Sequence, residues 1–218
     1  MLLEILRTLF FSAIFIFSSN PKFNSGFFYN EYKVAELVKK IEIDIDLFNK
    51  VKKEIKSYSY YFNYGIKKYF ELEMIKSFNF KKTNLPVFGR YDYELDVIFL
   101  NLNNINDYYI LEAIIYHELV HRKQVMELNY CDPIYVSSVG FREEPFSSYI
   151  DRCVEVSAYY QELKYIYKTY GSNSHKWKYF LKECCSWFLD KLSDNIANYM
   201  EDYSFAFKLK LEAITMER

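Results

Sequence analysis

The tightest constraint on this chain is the stretch Tyr116-His117-Glu118-Leu119-Val120-His121, set in an apolar run that begins near Ile110 and holds neither Gly nor Pro through Leu128. On a helix, residues four apart share a face, so the rings of His117 and His121 can reach one cation from the same side. Glu118 lies one residue further round and points beside that cation. Its carboxylate can there take a proton from a water that a Zn²⁺ acidifies. The H-E-x-x-H spacing predicts a helix over about 106–128, capped by Asn106 or Asp107. Its metal-facing stripe would be Ile110, Ala113, Ile114, His117, His121 and Gln124, with Leu111, Ile115, Leu119 and Met126 turned to the core. The remaining histidine, His175, is far away in the chain and reads as an exposed or capping residue.

A catalytic zinc normally takes three protein ligands and keeps a fourth position open. If the same helix supplied the third, as in the metzincin pattern, Gly and His would stand three and six residues after His121; those positions are Gln124 and Glu127. Glu127 lies about 240° round the helix from His121 and cannot share its metal. Two places remain: the Arg142-Glu143-Glu144-Pro145 turn, offering Glu143 or Glu144, and Glu155. Glu155 is favoured. Pro145 suits the first position of a second helix over 145–170 that Gly171 ends. On it Asp151, Glu155, Ala158 and Glu162 form one stripe, and the small Ser157 and Ala158 permit a close helix approach.

These two stretches, His117 to His121 and Arg152-Cys153-Val154-Glu155-Val156-Ser157-Ala158-Tyr159, together resemble the gluzincin-type minimal zinc metallopeptidases of the H-E-x-x-H zincin superfamily. The resemblance covers residues 90 to 165, and its second motif is less specific than its first. It implies that the third ligand lies in an E-x-x-A stretch of a following helix, here Glu155 to Ala158. It also implies a strand before the histidine helix that lines the cleft, to which an extended peptide adds by main-chain hydrogen bonds. The sequence departs from the thermolysin form, where an Asp four residues after the ligand Glu supports a histidine; Tyr159 occupies that position.

At 218 residues the chain is long enough for one well-buried domain. A formal charge of -1 argues against strong attraction to nucleic acid. Few Gly and Pro and a 21% aromatic content suggest a helix-rich, aromatic-packed body. Cys131, Cys153, Cys184 and Cys185 include no C-x-x-C pair, which argues against a structural zinc ribbon, and free apolar thiols are expected.

Taken in order, residues 1–19 form an apolar segment that reads as a signal or anchor, favouring a secreted or membrane-tethered protein. It is short for a bilayer span. Residues 20–30 read as a linker, and 31–218 as a single domain. Residues 31–72 are helical by the spacing of Val34, Leu37, Val38 and Ile41, then of Ile45, Phe48, Val51, Ile55 and Tyr58. The lysines around Lys50 to Lys56 read as a solvated face. A sheet is expected over 73–102, with strands at Met74 to Phe80, Pro86 to Tyr91 and Leu95 to Leu102. A loop over 129–144 follows the histidine helix, and a helical tail over 172–208 carries Trp177, Phe180, Leu181, Cys184, Trp187, Phe188 and Leu192 on an apolar stripe.

The expected fold class is α+β, mostly helical and zincin-like, with a small sheet before the H-E-x-x-H helix. The expected activity is hydrolysis of a peptide or protein substrate, with one Zn²⁺ on His117, His121 and Glu155 and Glu118 as the general base. Tyr159, Tyr160, Arg152 or Arg142 would supply a donor to the developing oxyanion. Two other classes fit the same residues: a regulatory zincin that cuts one partner protein, and a non-catalytic helical interaction protein with a structural or absent metal. Glu118 separates the last from the others, because a structural histidine pair requires no carboxylate there.

Overall fold

A computed structural model describes residues 31–57, 80–82, 88–103, 105, 107–127 and 152–216. Among the described residues the chain is mostly helical with a small sheet, an α+β arrangement. It divides into two compact units, one within residues 42–130 and the other from the described parts of 25–41 and 144–218. Residues 1–19, the 20–30 linker, the first predicted strand before Phe80 and the 129–144 loop lie outside the described residues. Among those described, no helix is long and apolar enough to cross a membrane.

In the first unit, helix α1 spans Ile45–Ser57. Asp44 caps it, its Oδ1 accepting the Leu47 amide at 2.9 Å. Phe48, Val51 and Ile55 recur at helical spacing and are buried, whereas Ile45 at the first turn is exposed. Phe48 meets Tyr116 edge to face at 4.9 Å. That contact joins α1 to helix α2, Tyr108–Glu127, which carries both histidines. Leu111, Ile115 and Leu119 of α2 are buried as expected, but Met126 is exposed because it lies in the last turn.

The lysine run on α1 is not wholly a solvated face. Lys52 reaches the buried Glu112 of α2, Nζ to Oε1 2.7 Å. Removing only the ammonium strands a carboxylate away from water. Lys52→Met should therefore destabilise the protein by about 2–3 kcal/mol, below the usual cost of breaking a buried pair because Lys52 keeps some solvent contact. The check is urea unfolding of Lys52→Met beside the Lys52→Met/Glu112→Leu double variant. The double variant should recover most of the loss.

Three short strands complete this unit: β1 Phe80–Lys82, β2 Gly89–Asp92 and β3 Val97–Leu100. Their order is β1-β3-β2, with β3 parallel to β1 and antiparallel to β2. The third strand starts two residues later than its apolar pattern suggests, because Asp96 turns the chain at a left-handed φ of 49°. Short polar side chains tolerate that region better than β-branched ones. As the middle strand β3 is paired on both sides, so it offers no edge; among the described residues β1 and β2 flank it.

The second unit starts with α3, Glu31–Val38, whose Val34, Ala35 and Val38 are buried while Leu37 is exposed. It packs on α4, Cys153–Tyr170. Arg152 before α4 is extended (φ -77, ψ 126), so the helix expected to run unbroken from 145 begins at Cys153. Ser157 Oγ donates to the Val38 carbonyl at 3.2 Å and Gln161 Nε2 to the Ile41 carbonyl at 2.9 Å. Ser157 thus adds to the Val38 carbonyl, which also takes the Ile41 amide at 3.3 Å, and Gln161 satisfies the Ile41 carbonyl just past the end of α3.

The tail follows as α5 His175–Phe180, a π turn at Leu181–Cys185, α6 Leu189–Met200 and α7 Tyr203–Met216, extending beyond residue 208. Trp177, Phe180, Leu181, Phe188, Leu192 and Ile196 form its core, and Trp187 is exposed. His175 is exposed and stacks on Tyr179 at 5.9 Å. Cys153, Cys184 and Cys185 are free thiols. Burial, aided by the Glu162 charge, pushes Cys184 and Cys185 well above the ordinary thiol pKa and keeps them unreactive.

Asp202 ties α7 to α4. Its carboxylate accepts the Phe205 amide at 3.1 Å, the Tyr160 hydroxyl at 2.9 Å and the Lys164 ammonium at 3.0 Å. Burial alone would raise its pKa, but Lys164, the Phe205 amide and the hydroxyls of Tyr160 and Ser204, the latter 3.0 Å away, together lower it to about 2. A carboxylate held below its unfolded value stabilises the fold above the ordinary range and loses that contribution as pH falls through the folded value. Asp202 should thus contribute about 2 kcal/mol near neutral pH that disappears between roughly pH 4 and 2. Urea midpoints across that window should fall for the wild type and be flatter for Asp202→Asn.

Candidate metal centre

The apolar period of α2 positions the site. Ala113, Ile115 and Val120 are fully buried, which fixes the helix rotation and sets His117, Glu118, His121 and Gln124 in buried positions too. The two imidazole Nε2 atoms face each other at 3.0 Å, with ring centroids 4.7 Å apart. Two nitrogens of one tetrahedral zinc lie about 3.3 Å apart, given Zn–N of about 2.0–2.1 Å. The pair is thus spaced for a shared cation.

Gln124, one turn beyond, has its Oε1 2.9 Å from His121 Nδ1. With the Nδ1 hydrogen donated to that carbonyl, a neutral His121 presents its Nε2 lone pair on the opposite side of the ring. Gln124 therefore serves the site as a support for His121. The orienting residue comes from the same helix, whereas Tyr159, at the position of the support Asp in the thermolysin form, packs its ring against Phe188 at 5.1 Å.

Glu118 is 6% exposed and held by the sheet: the Tyr91 amide of β2 donates to its Oε2 at 2.7 Å. Such closeness depends on Gly89. A Cβ there would lie 2.6 Å from Ile114 Cγ2 and 3.0 Å from Glu118 Oε1. A strand glycine is a recognised mark of close backbone approach, and this was the signal available at Gly89. The same hairpin is clamped to α2 by Arg122, whose Nε and guanidinium nitrogen donate to the two oxygens of Asp96 at 2.8 and 3.1 Å. The Arg122 guanidinium and the Tyr91 hydroxyl, 2.8 Å away, hold the Asp96 carboxyl below its usual pKa against the opposing effect of burial. Neither Arg122 nor Asp96 was singled out by spacing.

Glu155 stands in the first turn of α4 and is 3% exposed. It belongs to the second unit, whereas His117, Glu118 and His121 belong to the first. Two imidazoles and one carboxylate are a donor set suited to zinc. The other third-ligand candidates, Glu143 and Glu144, lie outside the described residues, as does Arg142. Of the remaining oxyanion candidates, Tyr160 donates its hydroxyl to Asp202, and Arg152 is the extended residue before α4. No family model, curated protein or solved structure matches the chain.

Proposed function

We propose that the protein is a zincin-like zinc metallopeptidase of gluzincin type, hydrolysing peptide bonds with His117, His121 and Glu155 as metal ligands and Glu118 as general base. The observation that carries this reading is the pair of buried imidazoles with their Nε2 atoms 3.0 Å apart, beside the buried Glu118 carboxylate on the same helix. A bound zinc supplies the Lewis acid that polarises the scissile carbonyl and acidifies the attacking water. Glu118 accepts the proton of that water and returns it to the leaving amine. Gln124 holds His121 in the tautomer that keeps Nε2 available. An extended substrate would add to β2, the strand next to Glu118, rather than to β3, through main-chain groups other than the Tyr91 amide that Glu118 holds.

The test is hydrolysis of an unfolded protein such as reduced casein by the zinc-loaded chain. Cleavage that a chelator abolishes and added zinc restores is the expected result. Zinc-loaded protein that cleaves neither casein nor a random peptide library would refute general peptidase activity.

A further inference from the structure

We propose that the peptide N–H of Tyr91 is a positioning group for the Glu118 carboxylate, and that Gly89 is glycine so that β2 can lie close enough for it to act. This rests on the hydrolytic reading of the site. The strand register shows why the amide is available. Asn101 donates to the Phe88 carbonyl at 2.9 Å, which makes Phe88 and Asn101 a hydrogen-bonded pair. Hydrogen-bonded and non-hydrogen-bonded pairs alternate along an antiparallel ladder. Arg90 opposite Phe99 is then the next bonded pair, and Gly89 and Tyr91 turn their main-chain groups away from β3. The Tyr91 N–H leaves the sheet on that outer side and meets Glu118 Oε2 at 2.7 Å.

A carboxylate on a helix rotates freely about its last bond unless something fixes it. Here a rigid amide holds one oxygen through a short, charge-assisted hydrogen bond. The carboxylate plane is set before substrate arrives, so proton transfer requires no search for the orientation. Gly89 enforces the arrangement from the same strand, because any Cβ there would meet both Ile114 and Glu118. The β2–β3 hairpin is in turn fixed to α2 by Asp96 and Arg122, close to the strand residue that carries the amide.

The direct test replaces Tyr91 by its α-hydroxy analogue, an ester that removes the N–H and keeps the side chain. Because the N–H points away from β3, no ladder donor is lost; the Arg90 carbonyl opposite Phe99 becomes a weaker ester acceptor but stays in place. Zinc content and KM should stay at wild-type values while kcat falls about 10- to 100-fold. Wild-type kcat in a zinc-loaded ester variant would overturn the proposal. A second measurement needs no activity: hydrogen exchange at the Tyr91 amide should be roughly tenfold faster in Glu118→Ala than in wild type. Unchanged exchange would overturn the contact even if the ester variant failed to fold. Gly89→Ala should lose the same protection and lower kcat in the same direction. If the wild type holds zinc and shows Glu118-dependent protection yet hydrolyses nothing, the hydrolytic reading fails while the contact stands. If the wild type is active and the ester is equally active, the positioning role alone fails.

Discussion

Glu118→Gln should bind zinc like the wild type and lose about 10²- to 10⁴-fold in turnover, the range a positioned general base contributes. The amide is nearly isosteric with the carboxylate, and its carbonyl can still accept the Tyr91 N–H now bonded to Oε2. What it cannot do is accept a proton from water. Stability should therefore change little and the loss should fall on kcat. The measurement pairs steady-state cleavage of a fluorogenic peptide with metal analysis of the same sample. A Glu118→Gln protein with full activity would remove the general base from the mechanism and leave Glu118 as a buried carboxylate held by a strand amide.

His117→Ala should lose zinc and all activity together, and Glu155→Ala should weaken zinc retention nearly as much. The two Nε2 atoms stand 3.0 Å apart, and a single remaining imidazole cannot chelate from α2 alone. Competition against a chelator of known affinity gives the size of each loss. Because Glu143 and Glu144 were the other candidates for the third position, their alanine variants belong in the same experiment. If either released zinc more readily than Glu155→Ala, the third ligand would move to the turn before Pro145.

The helical half of the site was readable from spacing because α2 obeys one period throughout. Ile115, His117, Glu118 and His121 depend only on residues close in sequence, and the helix bounds of Tyr108–Glu127 lie within two residues of the expected 106–128. Glu155 could be reached as a candidate through its E-x-x-A context, but the start of its helix could not. Pro145 is a plausible first helical position, yet Arg152 is extended and the helix begins at Cys153. Periodicity identified the buried faces and failed at their ends: Leu37, Ile45 and Met126 match the apolar pattern and are exposed in terminal turns.

The sheet was less legible for a different reason. Three runs of strand-like residues give no pairing order, so it could not be foreseen that β3 would be the middle strand and β2 the one beside Glu118. The contributions of Gly89, of the Tyr91 amide and of Asp96 with Arg122 follow from that order. None of them belongs to a motif. A main-chain N–H leaves no trace in a sequence, and a lone strand glycine marks close approach without saying to what. Lys52 likewise looks like any surface lysine until α2 brings Glu112 to it.

The most direct test of the central claim is the zinc content of the purified wild-type chain, by elemental analysis after dialysis against trace zinc and then against metal-free buffer. The wild type should hold about one zinc per chain, retained through dialysis, as a three-ligand site requires. A chain that holds no zinc after this treatment would contradict the metallopeptidase reading and leave His117 and His121 as a buried imidazole pair without a metal.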